Sequence, residues 1–346
     1  MIFLKNIWYA AAWTKDVVQG TPVARTIIEQ PILLLRDSAG VAFALRDACP
    51  HPFAPLSMGR QEGDSIRCGY HGIAFNLKGK CVENPHGPVL QSLCAKSHPL
   101  VERHKLLWVW LGDPAAPDPA LIPDFDFIDR SSEHSIVLGY LKSKANHHLI
   151  EDNILDLSHT DYLHADTLGG GANTRSKISV KELGEKVQVN WHASNEVPPP
   201  IIHGMLPDPA AGYDQWTEVL WHPNGSLHLF TKMGIPEGPA LDHLATWNAH
   251  ILVPEDASTT HYFYASGRNY KVDDAGYNAG MAIGLKMAFE QEDLPMIEAQ
   301  QQRIGNRDLM EAGPQLFAMD SATIRARRMY DRLLAAEQAQ ASREAA

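Results

Sequence analysis

Two short strings constrain this chain more than anything else in it: Cys49-x-His51 and, sixteen residues on, Cys68-x-x-His71. Two thiolates and two imidazoles at these spacings can surround a metal. Glycines (Gly59, Gly63, Gly69, Gly72) and prolines (Pro50, Pro52, Pro55) beside them suit tight loops. Two chemistries compete for such a set. A tetrahedral zinc site accepts two Cys and two His. A Rieske cluster puts two Cys on one iron and two His on the other. Each string here is mixed, one Cys and one His, so each loop would give one ligand to each iron. Zinc fingers more often pair like with like. The mixing favours the cluster over zinc, and over four residues in unrelated core positions.

The 346 residues suggest two domains. Residues 1 to about 112 read as short strands and turns, with β-rich runs at 31–37, 41–47 and 106–112 bounded by Gly, Asp and Pro. The segment 112–125 then carries Pro114, Pro117, Pro119 and Pro123, a stiff extended linker. A boundary inside it gives domains 1–115 and 116–346. Helical character around 144–164 precedes strand-like stretches at 176–192, 217–232, 244–253 and 259–268, spaced as an antiparallel sheet. Residues 277–303 read as one long helix with Ile283, Met287, Leu294 and Ile297 on its apolar stripe. Residues 320–339 read as another, charged on one side, and the last residues, 336–346, as frayed. The predicted fold class is α+β: a small all-β domain, then an α+β domain with an antiparallel sheet covered by helices.

The remaining cysteines, Cys81 and Cys94, have no metal-type partners and read as small buried hydrophobes. Four cysteines in this length do not make a disulfide scaffold. The apolar N-terminus is interrupted by Lys5 and Lys15 and reads as strand and turn rather than export signal, so a reducing cytoplasm is expected. No run of ~18 apolar residues spans a membrane. A net charge of −11 argues against nucleic acid or an anionic membrane as partner. His86, His98 and His104 read as ordinary polar or capping residues.

Residues 145–166 (ANHHLIEDNILDLSHTDYLHAD) hold a second constellation. Asp156 and His159 lie three apart, on one face of a helix. His164 is five beyond His159, about 140° around a straight helix, so one ion cannot take both unless the helix ends or distorts. Two His and one carboxylate form the facial triad of Fe(II) oxygenases. The third ligand must come from elsewhere, and 288–301 offers Glu290, Glu292, Asp293 and Glu298. Asp293 shares a stripe with Ala282, Phe289 and Met296. Glu290, on the stripe of Ile283 and Met287, is a rival. His147 and His148, and Asp152 four before Asp156, are further candidates.

Both motifs, in this order, resemble the Rieske non-haem iron oxygenases, over nearly the whole chain. NIWYAAAW, RHKLLWVWLGDP, THYFYASGRNY, EDLPMIEAQQ and DSATIRARRMYDRLL also fit. Length and opening are most similar to the vanillate O-demethylase group, with dicamba O-demethylase and toluenesulfonate methyl-monooxygenase. The resemblance implies a [2Fe–2S] cluster on Cys49, His51, Cys68 and His71, and Fe(II) on His159, His164 and Asp293, with O₂ as co-substrate. It implies that Asp156 is no ligand but a bridge from His159 to His71 of a neighbouring subunit. The chain is then part of a homotrimer. Asn153 matches a recurrent polar position near the iron. A flavin/[2Fe–2S] reductase or a ferredoxin is the implied electron donor.

The resemblance further implies monooxygenation of an aromatic acid, with O-demethylation of a methoxybenzoate-type substrate ahead of methyl hydroxylation or ring cis-dihydroxylation. The sheet and loop residues at 200–206 and 247–251 are expected to line the substrate site, which is largely apolar with a few polar anchors. His250 and Asn248, which share a strand face, are the candidate anchors for a carboxylate; an outward, solvated face is the alternative. A pure Rieske carrier explains the first domain but leaves the second constellation idle. A zinc-stabilised binding protein contains no acid-labile sulfide.

Overall fold

The computed structural model describes residues 3–236 and 240–344. The chain divides into two compact units, Met1–Asp124 and Phe125–Ala346. Met1 and Ile2, at the start of the first expected domain, lie outside the described residues.

The first unit is built of short antiparallel strands, as alternating Val, Ile, Leu and aromatic runs between turn residues dictate. Trp8–Trp13 pairs with Leu106–Trp110, and every residue of both is buried. The Trp8 and Trp110 rings meet with centroids 5.4 Å apart. Gln30–Arg36 centres a four-stranded sheet with Val23–Ile27, Ala42–Arg46 and Ser97–His98. A second four-stranded meander runs Arg60–Glu62, Ser65–Arg67, Ala74–Asn76 and Cys81–Glu83. Between them Leu33, Leu35, Leu45, Ile66 and Phe75 pack with Cys49, Cys68 and Cys81 into one core. Each such apolar side chain contributes about 1.5–3 kcal/mol on burial. Cys94 departs from the expectation: it is exposed, its thiol donating to the Gln91 carbonyl at the end of a surface turn.

The second unit carries a seven-stranded, wholly antiparallel sheet. Its order is Ile136–Ser143, Thr259–Arg268, Ala240–Asp256, Ser226–Gly234, Tyr213–Trp221, Lys186–Glu196 and Lys177–Leu183. The stretches read as single strands at 176–192 and 217–232 are each hairpins, because Gly184 and Gly225 hold positive φ at the turns. Against the sheet lies the helix His147–Leu155, which ends before Asp156.

The expected long helix is three pieces: Ala275–Met287, a π-helical segment Ala288–Asp293, and Leu294–Ile304. The wider π turn resets the helix phase, so the predicted stripe fails at its first half. Ile283 is 71% exposed and Met287 37%, while Leu285, Ala288, Asp293 and Ile297 are buried. The C-terminal helix runs Ser321–Glu344, past the point where fraying was expected. Ala345 and Ala346 lie outside the described residues. Among the described residues, no helix is long and apolar enough to cross a membrane.

Candidate functional site

The first constellation occupies two loops with the same backbone plan. Cys49 N–H donates to Ala54 O and Phe53 N–H to Cys49 O; Cys68 N–H donates to Ile73 O and Gly72 N–H to Cys68 O. The fourth residue after each cysteine is left-handed: Phe53 at φ 70° and Gly72 at φ 72°. Gly59 presses against the second loop's strand, where a Cβ would lie 2.0 Å from the Arg67 carbonyl oxygen. Both thiols are buried, and burial pushes Cys49 up to about 11. The histidines sit at the surface, with His51 and His71 ring centroids 4.9 Å apart. Nδ1 of His71 is sealed from solvent without a hydrogen-bond partner. Two buried sulfurs, with no cation among the causes of the Cys49 shift, and two facing imidazoles fit a cluster that supplies the missing positive charge. His86 Nε2–H donates to the His71 carbonyl at 2.9 Å, a contact the sequence did not suggest.

The second constellation converges as well. The carboxylate of Asp156 caps a short 3₁₀ turn, Leu157–His159, by accepting from Ser158 N–H. Its backbone is extended (φ −109°, ψ 94°), so Asp156 and His159 do not share a helix face as expected. The contact between them runs through the main chain: His159 Nδ1–H donates to the Asp156 carbonyl at 2.6 Å. The helix Thr160–Leu163 then ends at His164 (φ −113°, ψ 33°), which lets that ring turn back toward His159 with centroids 5.4 Å apart.

Asp293 comes from the end of the π segment. Its Oδ1 lies 3.0 Å from His164 Nε2 and 3.5 Å from His159 Nε2. One donor atom from each of the three falls within 4.8 Å of the other two. Glu290, the rival, faces away and pairs with Lys286. Glu292 does something spacing did not reveal: its carboxylate accepts from His164 Nδ1–H at 2.6 Å. Burial opposes a charge on His164, and the two carboxylates outweigh it, raising the pKa. Asn153 Nδ2–H donates to Asp293 Oδ1 at 3.1 Å. Both imidazoles thus have Nδ1 tied and Nε2 free to face the carboxylate, which is the preparation that a metal-ligating histidine needs. Two His and one carboxylate, with one side open to a cavity, fit non-haem Fe(II).

That cavity, of about 230 Å³, is walled by Ile150, Leu157, Ile202, Leu229, Leu285, Phe289 and Ile297. Asn248 and His250 face into it from one strand, with Thr231, Thr246 and Ser266 beside them. Ile201 and Ile202 of the expected 200–206 region line it too, with Pro199 just before them. His250 Nδ1 and the Tyr262 hydroxyl are 2.5 Å apart. Burial holds His250 down to about 4, so it is neutral near pH 7. His147, His148 and Asp152 are not part of this site. His147 and His148 gather with Glu151, and Asp152 pairs with Arg327 of the C-terminal helix.

Comparison with known proteins finds relatives along nearly the whole chain. Residues 7–94 match the Rieske [2Fe-2S] domain, and 143–336 match the vanillate O-demethylase oxygenase C-terminal domain. The chain is 35% identical to the toluene-4-sulfonate monooxygenase system iron-sulfur subunit of Comamonas testosteroni, over 97% of this chain and 98% of that one. It is 33% identical to the oxygenase component of dicamba O-demethylase from Stenotrophomonas maltophilia, over 96% and 98%. The crystal structure of dicamba monooxygenase bound to dicamba superposes with a TM-score of 0.89 at 32% identity, covering 97% of this chain and 99% of that one.

Proposed function

The chain belongs to the Rieske non-haem iron oxygenases of the vanillate O-demethylase type, and from that membership we propose that it demethylates a methoxylated aromatic acid. As an oxygenase component it carries a Rieske [2Fe–2S] cluster and a mononuclear iron, and it depends on a separate electron-donating partner. We assign Cys49, His51, Cys68 and His71 to the cluster, and His159, His164 and Asp293 to the iron. Bound there, the cluster supplies electrons and the iron supplies O₂ activation.

The chain's own residues do the rest. The Asp156 carbonyl and the Glu292 carboxylate fix the imidazole tautomers, so both Nε2 lone pairs stay available. Asn153 steadies the Asp293 carboxylate from the cavity side. Apolar walls exclude water and take an aromatic ring. The observation that carries the substrate reading is the placement of Asn248 and His250 in the same cavity as the triad. As neutral donors they suit a carboxylate, whose ring then presents its methoxy carbon to the iron side. Oxidation of that carbon releases the methyl group as formaldehyde and leaves a phenol. The toluenesulfonate relative favours a second reading, hydroxylation of an aromatic methyl group.

The donor is, in this reading, a flavin/[2Fe–2S] reductase or a ferredoxin, and the assembly a homotrimer in which Asp156 of one subunit meets His71 of the next. Exposed Phe53, Met58 and Tyr70 around the cluster histidines suit a covered surface. Cysteines that form no disulfide suit a reducing cytoplasm. The test is O₂ uptake by iron-replete protein with NADH, a reductase and a panel of methoxylated, methylated and unsubstituted benzoates, with formaldehyde measured alongside. Substrate-dependent uptake with equimolar formaldehyde is the expected result. Coupled uptake without it selects hydroxylation, and no stimulated uptake by any of the panel overturns the substrate class. Asp293→Ala is expected to abolish turnover and retain the Rieske spectrum.

A further inference from the structure

We propose that His147, His148 and Glu151 form a second metal site, for one divalent ion of the zinc or ferrous class, buried in the catalytic unit apart from the His159, His164 and Asp293 set. The helix that carries them, His147–Leu155, advances about 100° per residue. His148 therefore lies about 100° around from His147, and Glu151 about 40°, between the two. One helical turn presents all three on one face. That face is buried: His147 is 2% exposed, His148 8% and Glu151 2%. One donor atom of each lies within 4.8 Å of the other two, the same convergence that gathers the triad.

Charge points the same way. Arg327, on the C-terminal helix, spends its guanidinium on Asp152 and Asp308. Glu151 has no Lys or Arg at ion-pair distance among the described residues; its contact is His148 Nδ1 at 2.7 Å. Its other oxygen, Oε1, is sealed from solvent; the Trp221 indole lies close enough to favour the ionised carboxylate, but neither its N–H nor Oε1 meets a partner in good hydrogen-bond geometry. Burial raises the Glu151 pKa against the pull of the more distant Arg327, and a divalent ion beside it would stabilise the ionised carboxylate. Burial, with the Arg327 charge adding to it, holds both imidazoles down to about 3, so they are neutral, the form that binds metal. Two nitrogens and one carboxylate select zinc or ferrous iron over calcium or magnesium. No substrate of the oxygenase reaction is needed at this site, which faces the C-terminal helix: the Tyr330 ring meets His148 edge-on at 4.7 Å.

The test is metal analysis of the full chain purified from iron- and zinc-supplemented medium without chelators. The expected result is one equivalent of zinc or iron beyond that of the cluster and the mononuclear site. Glu151→Gln and His147→Gln should each lose that equivalent, with the Rieske spectrum and the mononuclear iron unchanged. A second measurement does not depend on those variants folding. In the Asp293→Ala protein, where the mononuclear site is disabled, added cobalt(II) should give visible ligand-field bands that saturate at one equivalent. No excess metal in the native chain together with no cobalt spectrum overturns the proposal. So does excess metal that survives unchanged in both variants.

Discussion

Glu292 and Asp293 are adjacent, yet they address opposite nitrogens of one ring: Glu292 holds Nδ1 of His164 and Asp293 faces Nε2. This pairing explains how an imidazole on a short irregular helix is held in one orientation. A charge-assisted bond of 2.6 Å fixes the tautomer and raises the basicity of the other nitrogen. Glu292→Gln keeps the shape and removes the charge. Mononuclear iron affinity is expected to fall about 10- to 100-fold, read by iron titration, while the Rieske spectrum stays as in the native chain. Unchanged iron affinity would show that the Glu292 bond is incidental. The residue types at the site were legible in the sequence: Cys, His, Asp and Asn at meaningful spacings. The role of Glu292 was not, because nothing in spacing distinguishes a ligand from the group that orients one.

The element that decides the site is the π-helical segment Ala288–Asp293. Segments of this kind are rare and cluster at functional positions. Here the extra backbone atoms in each turn rotate everything after Met287, taking Glu290 outward to Lys286 and Asp293 inward to the histidines. Deleting the exposed Gln291 should let the segment relax to an α-helix and carry Asp293 out of reach. Helical circular dichroism and the Rieske spectrum are expected to persist and mononuclear iron to be lost. Retained iron would mean that the widened turn is not what aims Asp293. Periodicity in the sequence detected a helix over 277–303 but assumed one phase throughout. That is why Ile283 and Met287 read as core and are exposed.

Across the molecule, several histidines are neutral because they are buried, and acid should unfold the protein through them. Burial holds His222 down to about 3 and His98 to about 4. Unfolded, each returns to about 6.5. The unfolded chain therefore binds more protons below that pH, so the stability these groups allow is complete above pH ~6.5 and is lost as pH falls toward their folded values. Each contributes a slope of up to about 1.4 kcal/mol per pH unit. The melting temperature is expected to drop between pH 6.5 and 5, and less steeply in His222→Gln. Parallel curves for the two proteins would remove His222 from the account. Assembly is testable at the same scale. If Asp156 is the bridge proposed above, Asp156→Asn should leave both iron centres and the sedimentation coefficient unchanged while turnover falls about tenfold or more. Full turnover in that variant would exclude Asp156 as the bridge between subunits.

The sequence by itself determined which chemistry the chain carries. Ligand residues must be the right types, and the two loops that hold Cys49, His51, Cys68 and His71 are local enough for spacing to define them. The strand-rich first unit and the antiparallel sheet of the second were readable too, since alternation and turn residues act over a few positions. Tertiary structure alone decided what is brought to those ligands across long stretches of chain. Asp293 reaches His164 over 129 residues, and Asn153 reaches Asp293 over 140. Such contacts depend on helix phase, on where a turn widens and on which face packs against the sheet. Each is a small rotation set by the whole core, and no local pattern records it.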